Sequence, residues 1–132
     1  MNKSKKILLL TVAVAGLFAG LTVKSAQAGM WYSNDFRSPT GNIRCHHNPA
    51  TDAIACGTLN DGFTVALSAY GGKARKIIGG TVYRWSGGPV LGYGTFWSAH
   101  WLRCDSSYDR MTCRATQTGH GFWINRTSWN SW

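Results

Sequence analysis

Four cysteines fall as two close pairs, Cys45 with Cys56 and Cys104 with Cys113. This spacing restricts the fold more than any other feature of the chain. If Cys45 faces Cys56 across an antiparallel ladder, the reversal falls at Ala50-Thr51, after the turn signal Asn48-Pro49. If Cys104 faces Cys113, it falls at Tyr108-Asp109. Directly opposed residues at a non-hydrogen-bonded antiparallel position sit close enough for a disulfide. Four cysteines allow more than one connectivity. Two local bonds are expected, and a long-range bond joining two sheets is the alternative.

The compartment follows from the N-terminus. Asn2-Lys3-Ser4-Lys5-Lys6 is a positive n-region, Ile7 to Val23 is an uncharged apolar run, and Ala26-Gln27-Ala28 is a small-x-small site. Together they read as a signal peptide, residues 1–28, cut before Gly29. The apolar run is shorter than the roughly 20 residues a spanning helix needs, so no stable transmembrane anchor is expected after cleavage. The expected location is the medium or the cell envelope, where cysteines are oxidised. The formal charge of the whole chain is +9. The leader removes Lys3, Lys5, Lys6 and Lys24, and the remaining ten basic residues against five Asp and no Glu leave +5. Residues 29–132 are the length of one domain, with a modest core that benefits from staples.

After Gly29 no stretch carries a helical apolar period. Alternation is common instead: Ile43, Cys45, His47; Phe63, Val65, Leu67; Met111, Cys113, Ala115. Turn signals such as Gly71-Gly72, Gly87-Gly88-Pro89 and Gly119-His120-Gly121 punctuate the runs. The pattern predicts an all-β fold, a small disulfide-stapled sandwich or barrel. A repeat underlies it. Ile43-Arg44-Cys45 matches Leu102-Arg103-Cys104, and Gly62-Phe63 answers Gly121-Phe122 as the start of a following strand. The expectation is two similar hairpin-plus-strand units with residues 70–100 inserted between them. Residues 29–36 and 127–132 are expected to fray.

Phe36-x-Ser38-Pro39-x-Gly41-Asn42-Ile43-x-Cys45 and Thr118-Gly119-His120-Gly121-Phe122, with the Gly88-Pro89, Tyr93-Gly94 and Trp97 cluster, span most of residues 36–128. These segments resemble an uncharacterised domain family of small exported two-disulfide proteins, mostly actinobacterial. The resemblance implies fold and export, and it carries no reaction and no catalytic residue. The Trp-rich end, Trp123, Trp129 and Trp132, departs from it.

Candidate chemistry is sparse. His46 and His47 are adjacent on a predicted strand and point to opposite faces, so they do not chelate one ion together. No spacing resembles a zinc motif, and no metal or cofactor is expected. His120 between two glycines could act as a general base, with Asp105, Ser106 and Ser107 as partners. It reads more simply as a turn residue bonded to backbone, and no Gly-x-Ser-x-Gly elbow is present. Most of the carboxylates, Asp35, Asp52, Asp61, Asp105 and Asp109, sit at predicted turns.

The basic and aromatic residues carry more weight. The second hairpin's register sets Arg103 opposite Arg114, and facing like charges are unfavourable unless something offsets them. Asp105 could do so in part, or an anion could. Aromatics interleave with these cations at Tyr83, Trp85, Tyr93, Trp97 and Trp101. The expectation is a non-enzymatic binding module with Arg103, Arg114, His120 and Trp101 on the face meeting an anionic envelope polymer or glycan. Nucleic acid is a poor partner for an exported protein. A cationic antimicrobial effector acting on membranes is the alternative, and a small hydrolase using His120 is the third reading.

Overall fold

The computed structural model of the protein describes residues 29–30, 33–60, 62–77 and 88–132. The expected leader, Asp61, Tyr83 and Trp85 lie outside them. The described residues form strands β1 (Gly29–Met30), β2 (Asp35–Arg37), β3 (Ile43–Asn48), β4 (Ala53–Thr58), β5 (Thr64–Ser68) and β6 (Arg75–Ile77). They continue with β7 (Phe96–Ala99), β8 (Leu102–Ser106), β9 (Met111–Ala115), β10 (Gly121–Ile124) and β11 (Trp129–Ser131). One sheet has the order β2-β3-β4-β5-β6 and the other β1-β7-β8-β9-β10-β11. The ladders are antiparallel meanders, apart from β1, which runs parallel to β7. The fold is an all-β sandwich stapled by Cys45–Cys56 and Cys104–Cys113.

Both hairpins take the registers the cysteines dictate. Cys45 lies opposite Cys56 and Cys104 opposite Cys113, with Cα separations of 4.1 and 4.0 Å. That approach is characteristic of a non-hydrogen-bonded pair. Each disulfide is the centre of a row crossing its sheet. In the first sheet the row is Phe36, Cys45, Cys56, Val65. In the second it is Trp97, Cys104, Cys113, Phe122. All eight side chains are fully buried. The rows lie face to face: the Phe36 and Trp97 rings stack at 5.0 Å, and Cys56 Sγ meets Cys113 Sγ at 3.7 Å. Burying each large apolar side chain contributes about 1.5–3 kcal/mol. Trp97 places its polar edge safely, donating from Nε1 to the Ser33 carbonyl at 2.8 Å.

The rows correct the repeat. Val65, not Phe63, is the counterpart of Phe122, because each pairs with the second cysteine of its unit. Gly62 corresponds to Gly119. Both have positive φ, and their amides donate to the Thr58 and Ala115 carbonyls at 3.2 and 3.0 Å. Phe63 corresponds to His120, whose carbonyls accept from Thr58 N and Ala115 N. The Gly-Phe match was therefore one pleat out of step. Residues 70–100 are not an insert either. They contain β6, which completes the first sheet, and β7, which opens the second meander. The described parts of the termini expected to fray are strands: β1 and β2 at one end, β11 at the other.

Candidate functional site

The sandwich has two ends, and the polar chemistry divides between them. At the end where β3 begins and β8 finishes, the β2–β3 turn forms one wall of a groove. Ser38 shapes this turn: its Oγ accepts from Ile43 N at 3.1 Å, and its carbonyl accepts from Gly41 N at 2.8 Å. Gly41 adopts φ +74°, and Asn42 passes its carbonyl to Leu59 N. The Ser-Pro-x-Gly-Asn-Ile segment is thus a turn built to present Thr40 and Asn42 between two concavities.

The first concavity is a cleft of about 490 Å³ beneath Tyr93 and Tyr108, with Ser38, Ser106, Asn125 and Thr127 among its other lining residues. The second is a shallower basin of about 540 Å³ lined by Arg37, Arg44 and Arg126 with Leu59 and Asn60. They share Thr40, Asn42 and Arg126, so they form one continuous groove. Arg37 faces Arg44 across β2 and β3. No carboxylate is among the described residues that line the basin. Asp35, on β2, is held by His46 at 2.7 Å. In the cleft one of the two arginines is already paired. Arg110 pairs with Asp109 at 3.1 Å and lies over the Trp123 ring at 4.4 Å. The Ser107 hydroxyl, bonded to Asp109, is the main influence holding that carboxyl below its ordinary value.

The four residues expected to form a binding face gather at one corner of the second sheet. Arg103 faces Arg114, Arg114 faces Gly121 beside His120, and Trp101's carbonyl accepts from Thr116 N. Their contacts run in different directions. Arg103 is ion-paired with Asp105 at 2.9 Å and stacks over Phe96 at 4.0 Å. Arg114 is exposed. His120 Nδ1 lies 3.1 Å from the Trp132 main-chain oxygen. Trp101 packs at a tilt against His100, with ring centroids 4.8 Å apart. Asp105 and Ser107 spend their hydrogen bonds on Arg103 and on Asp109 and Arg110, not on His120. The glycine after His120 has a distinct role: a Cβ on Gly121 would lie 2.4 Å from the Trp132 indole, which rests on that bare backbone. The Trp-rich end is thereby docked, with Trp129 packed against the core.

The opposite end holds a cluster that the sequence did not indicate. Asp52, only 8% exposed, extends Oδ1 to His47 Nε2 at 2.9 Å and Oδ2 to His100 Nδ1 at 2.7 Å. His47 Nδ1 lies 3.1 Å from Asn34 Oδ1, and the Tyr70 hydroxyl 3.2 Å from His100 Nδ1. The carboxylate therefore joins the β3–β4 turn of one sheet to the β7–β8 turn of the other. Burial pushes Asp52 up, but the hydrogen bonds from His100 and His47 outweigh it and hold the carboxyl below its ordinary value. Partial desolvation and the Asp52 charge push the Tyr70 hydroxyl up. Asp52 and His100 have φ of 51° and 52°, in the left-handed region that costs a non-glycine residue free energy. His47 was legible as an inward residue from the alternation of β3. Its partners were not, because they come from distant turns. The His100 side chain is 55% exposed, and its Nδ1 is held by Asp52.

One further group has metal-like spacing: the sulfurs of Cys56, Cys104 and Cys113 lie within 4.8 Å of one another. All are disulfide-bonded and present no thiolate, so this is the packed contact of two cystines. A scan against protein-family models matches none, and searches of curated proteins and solved structures return no match.

Proposed function

We propose that the protein is an exported, non-enzymatic binding module that holds an anionic polymer or glycan of the cell envelope in the groove at the β2–β3 turn. One observation carries this reading: three arginines border a basin with no carboxylate among its described lining residues, beside a cleft lined by Tyr93 and Tyr108. Arg37 and Arg126 both line the basin, and guanidinium groups suit a carboxylate or phosphate through paired N–H donors. Arg103, on the outer face of the second sheet, is already paired with Asp105. Buried disulfides suit an oxidising compartment, in keeping with export.

The test is retention of the oxidised mature protein on isolated cell wall across a salt gradient. Arg37→Ala with Arg126→Ala should weaken retention about tenfold, equivalent to about 1.4 kcal/mol. Arg103→Ala with Arg114→Ala should do less. Unchanged retention in the Arg37/Arg126 variant rejects the basin. Loss confined to the Arg103/Arg114 variant moves the site to the outer face of the second sheet.

A further inference from the structure

The two disulfides are buried against each other, and their contact has a chemical consequence. Cys56 Sγ lies 3.7 Å from Cys113 Sγ across the space between the sheets, although the residues are 57 positions apart in the chain. The sulfurs of Cys56, Cys104 and Cys113 fall within 4.8 Å of one another, and Cys45 is not in that group. We infer that the stacked cystines form an intramolecular thiol–disulfide exchange site. In it, a bond belonging to one hairpin passes to the other through an inter-sheet Cys56–Cys113 disulfide. In the fully oxidised protein every cysteine is bonded and the site is silent. It acts when one of the two bonds is missing, as one must be midway through oxidation of the reduced chain.

Consider the intermediate that holds Cys45–Cys56 and has thiols at Cys104 and Cys113. Deprotonated Cys113 attacks Cys56 Sγ. A Cys113–Cys56 bond forms, the Cys56–Cys45 bond breaks, and the Cys45 sulfur leaves with the electron pair and takes up a proton. Deprotonated Cys104 then attacks Cys113 Sγ, which closes the second hairpin and releases Cys56 as a thiol. One protein disulfide is present throughout, so neither step needs an oxidant or a reductant. A disulfide oxidant such as oxidised glutathione is consumed only afterwards. It takes two electrons from the Cys45 and Cys56 thiols as their bond closes, and becomes two glutathione thiols.

Two features favour the internal route. The contact supplies a proximity that a thiol in solution lacks. All four cysteines are fully buried among Phe36, Val65, Trp97 and Phe122, so external thiols do not intercept the exchange. That apolar wall also disfavours a thiolate, which makes the exchange slow. Chain entropy opposes the inter-sheet bond. In an unfolded chain a separation of 57 closes about tenfold less readily than separations of 11 and 9. A Cys56–Cys113 bond is therefore a mark of stacked sheets and not of random pairing. The result is self-correction: whichever of these three pairs is oxidised first, the folded core can move the bond until both native pairs are closed.

The test is oxidation of the reduced mature chain in a glutathione redox buffer, with one-disulfide species trapped by acid and their non-reduced peptides mapped by mass spectrometry. Without denaturant, Cys56–Cys113 should be populated within about tenfold of Cys45–Cys56 and Cys104–Cys113. In concentrated urea its share should fall about tenfold, because the contact is gone and only chain entropy decides. Cys45→Ala with Cys104→Ala should close Cys56–Cys113 in the folded protein. Cys56→Ala with Cys113→Ala should leave Cys45 and Cys104 as thiols over the same period. Absence of Cys56–Cys113 from the wild-type intermediates overturns the exchange site, whether or not the variants fold. Its survival in urea at an unchanged share also overturns it, as random pairing. Free thiols in folded Cys45→Ala/Cys104→Ala do the same, and equal crosslinking of Cys45 with Cys104 overturns the assignment to Cys56 and Cys113.

Discussion

Asp52 is the residue on which most of the polar interior converges, and its charge is testable without disturbing its backbone. Asparagine tolerates the left-handed region better than most residues, so Asp52→Asn keeps the local φ of 51° accessible while removing the charge between His47 and His100. The loss should be about 1–3 kcal/mol, read from urea denaturation. The pH dependence has a definite sign. The folded carboxyl titrates below its ordinary 3.8, so the unfolded chain binds more protons in that window and stability rises with pH through it. The contribution is whole above about pH 4 and is lost as pH falls through the lowered folded value. Wild type should therefore lose more stability than Asp52→Asn between about pH 5 and about pH 3. Asp109, also held low, keeps part of the slope in both proteins. Parallel losses would clear Asp52 of the effect. Gly121 permits an equally local test. Alanine there meets both the Trp132 ring and the Cys113 carbonyl at 2.8 Å or less. Gly121→Ala should displace the indole, seen as a red shift in tryptophan emission, and cost about 1–3 kcal/mol.

The hairpins were the most legible elements because a disulfide between facing strands fixes register to the residue. From Cys45 and Cys56 follow Arg44 opposite Gly57 and His47 opposite Ile54, as found. The same reasoning placed Arg103 opposite Arg114. Legibility ended where elements are short or assembled from distant turns. β6 is three exposed residues with no alternation to read, so a strand passed as part of an insert. Phe63 passed for the partner of Phe122 because composition repeats at Gly-Phe, whereas pairing repeats at the cysteines. The groove combines the β2–β3, β4–β5, β8–β9 and β10–β11 turns with Tyr93 of the segment before β7, and nothing in a linear chain announces that these segments will meet. The staples themselves make a prediction at this scale. They join residues 11 and 9 apart, and each should contribute about 2–3 kcal/mol on the chain-entropy account. Because the cysteines are fully buried, reductant should reach them only through unfolding. Thiol labelling under native reducing conditions should be slow and should accelerate in step with added urea. Rapid labelling without urea would mean that the hairpins open locally.

At the scale of the molecule, neither sheet can bury its inner face alone. The two rows supply each other's cover: Phe36 lies on Trp97, Cys56 on Cys113, and β5 packs against both β9 and β10. The Asp52 bridge then ties the sheets together at one end, between the β3–β4 and β7–β8 turns. Two similar units, each a meander with its own disulfide, are therefore expected to unfold as one cooperative structure. Trp97 tests this most directly, because it belongs to one sheet and covers the other. Trp97→Ala should cost about 3–5 kcal/mol, a large part of the roughly 5–15 kcal/mol available to a domain of this kind. If the sandwich unfolds as a unit, amide exchange in β4 should gain as much as exchange in β9, despite the substitution lying in the β9 sheet. Protection kept in β4 while β9 exchanges freely would instead make each stapled meander an independent folding unit, with the stacked rows formed only after each had closed.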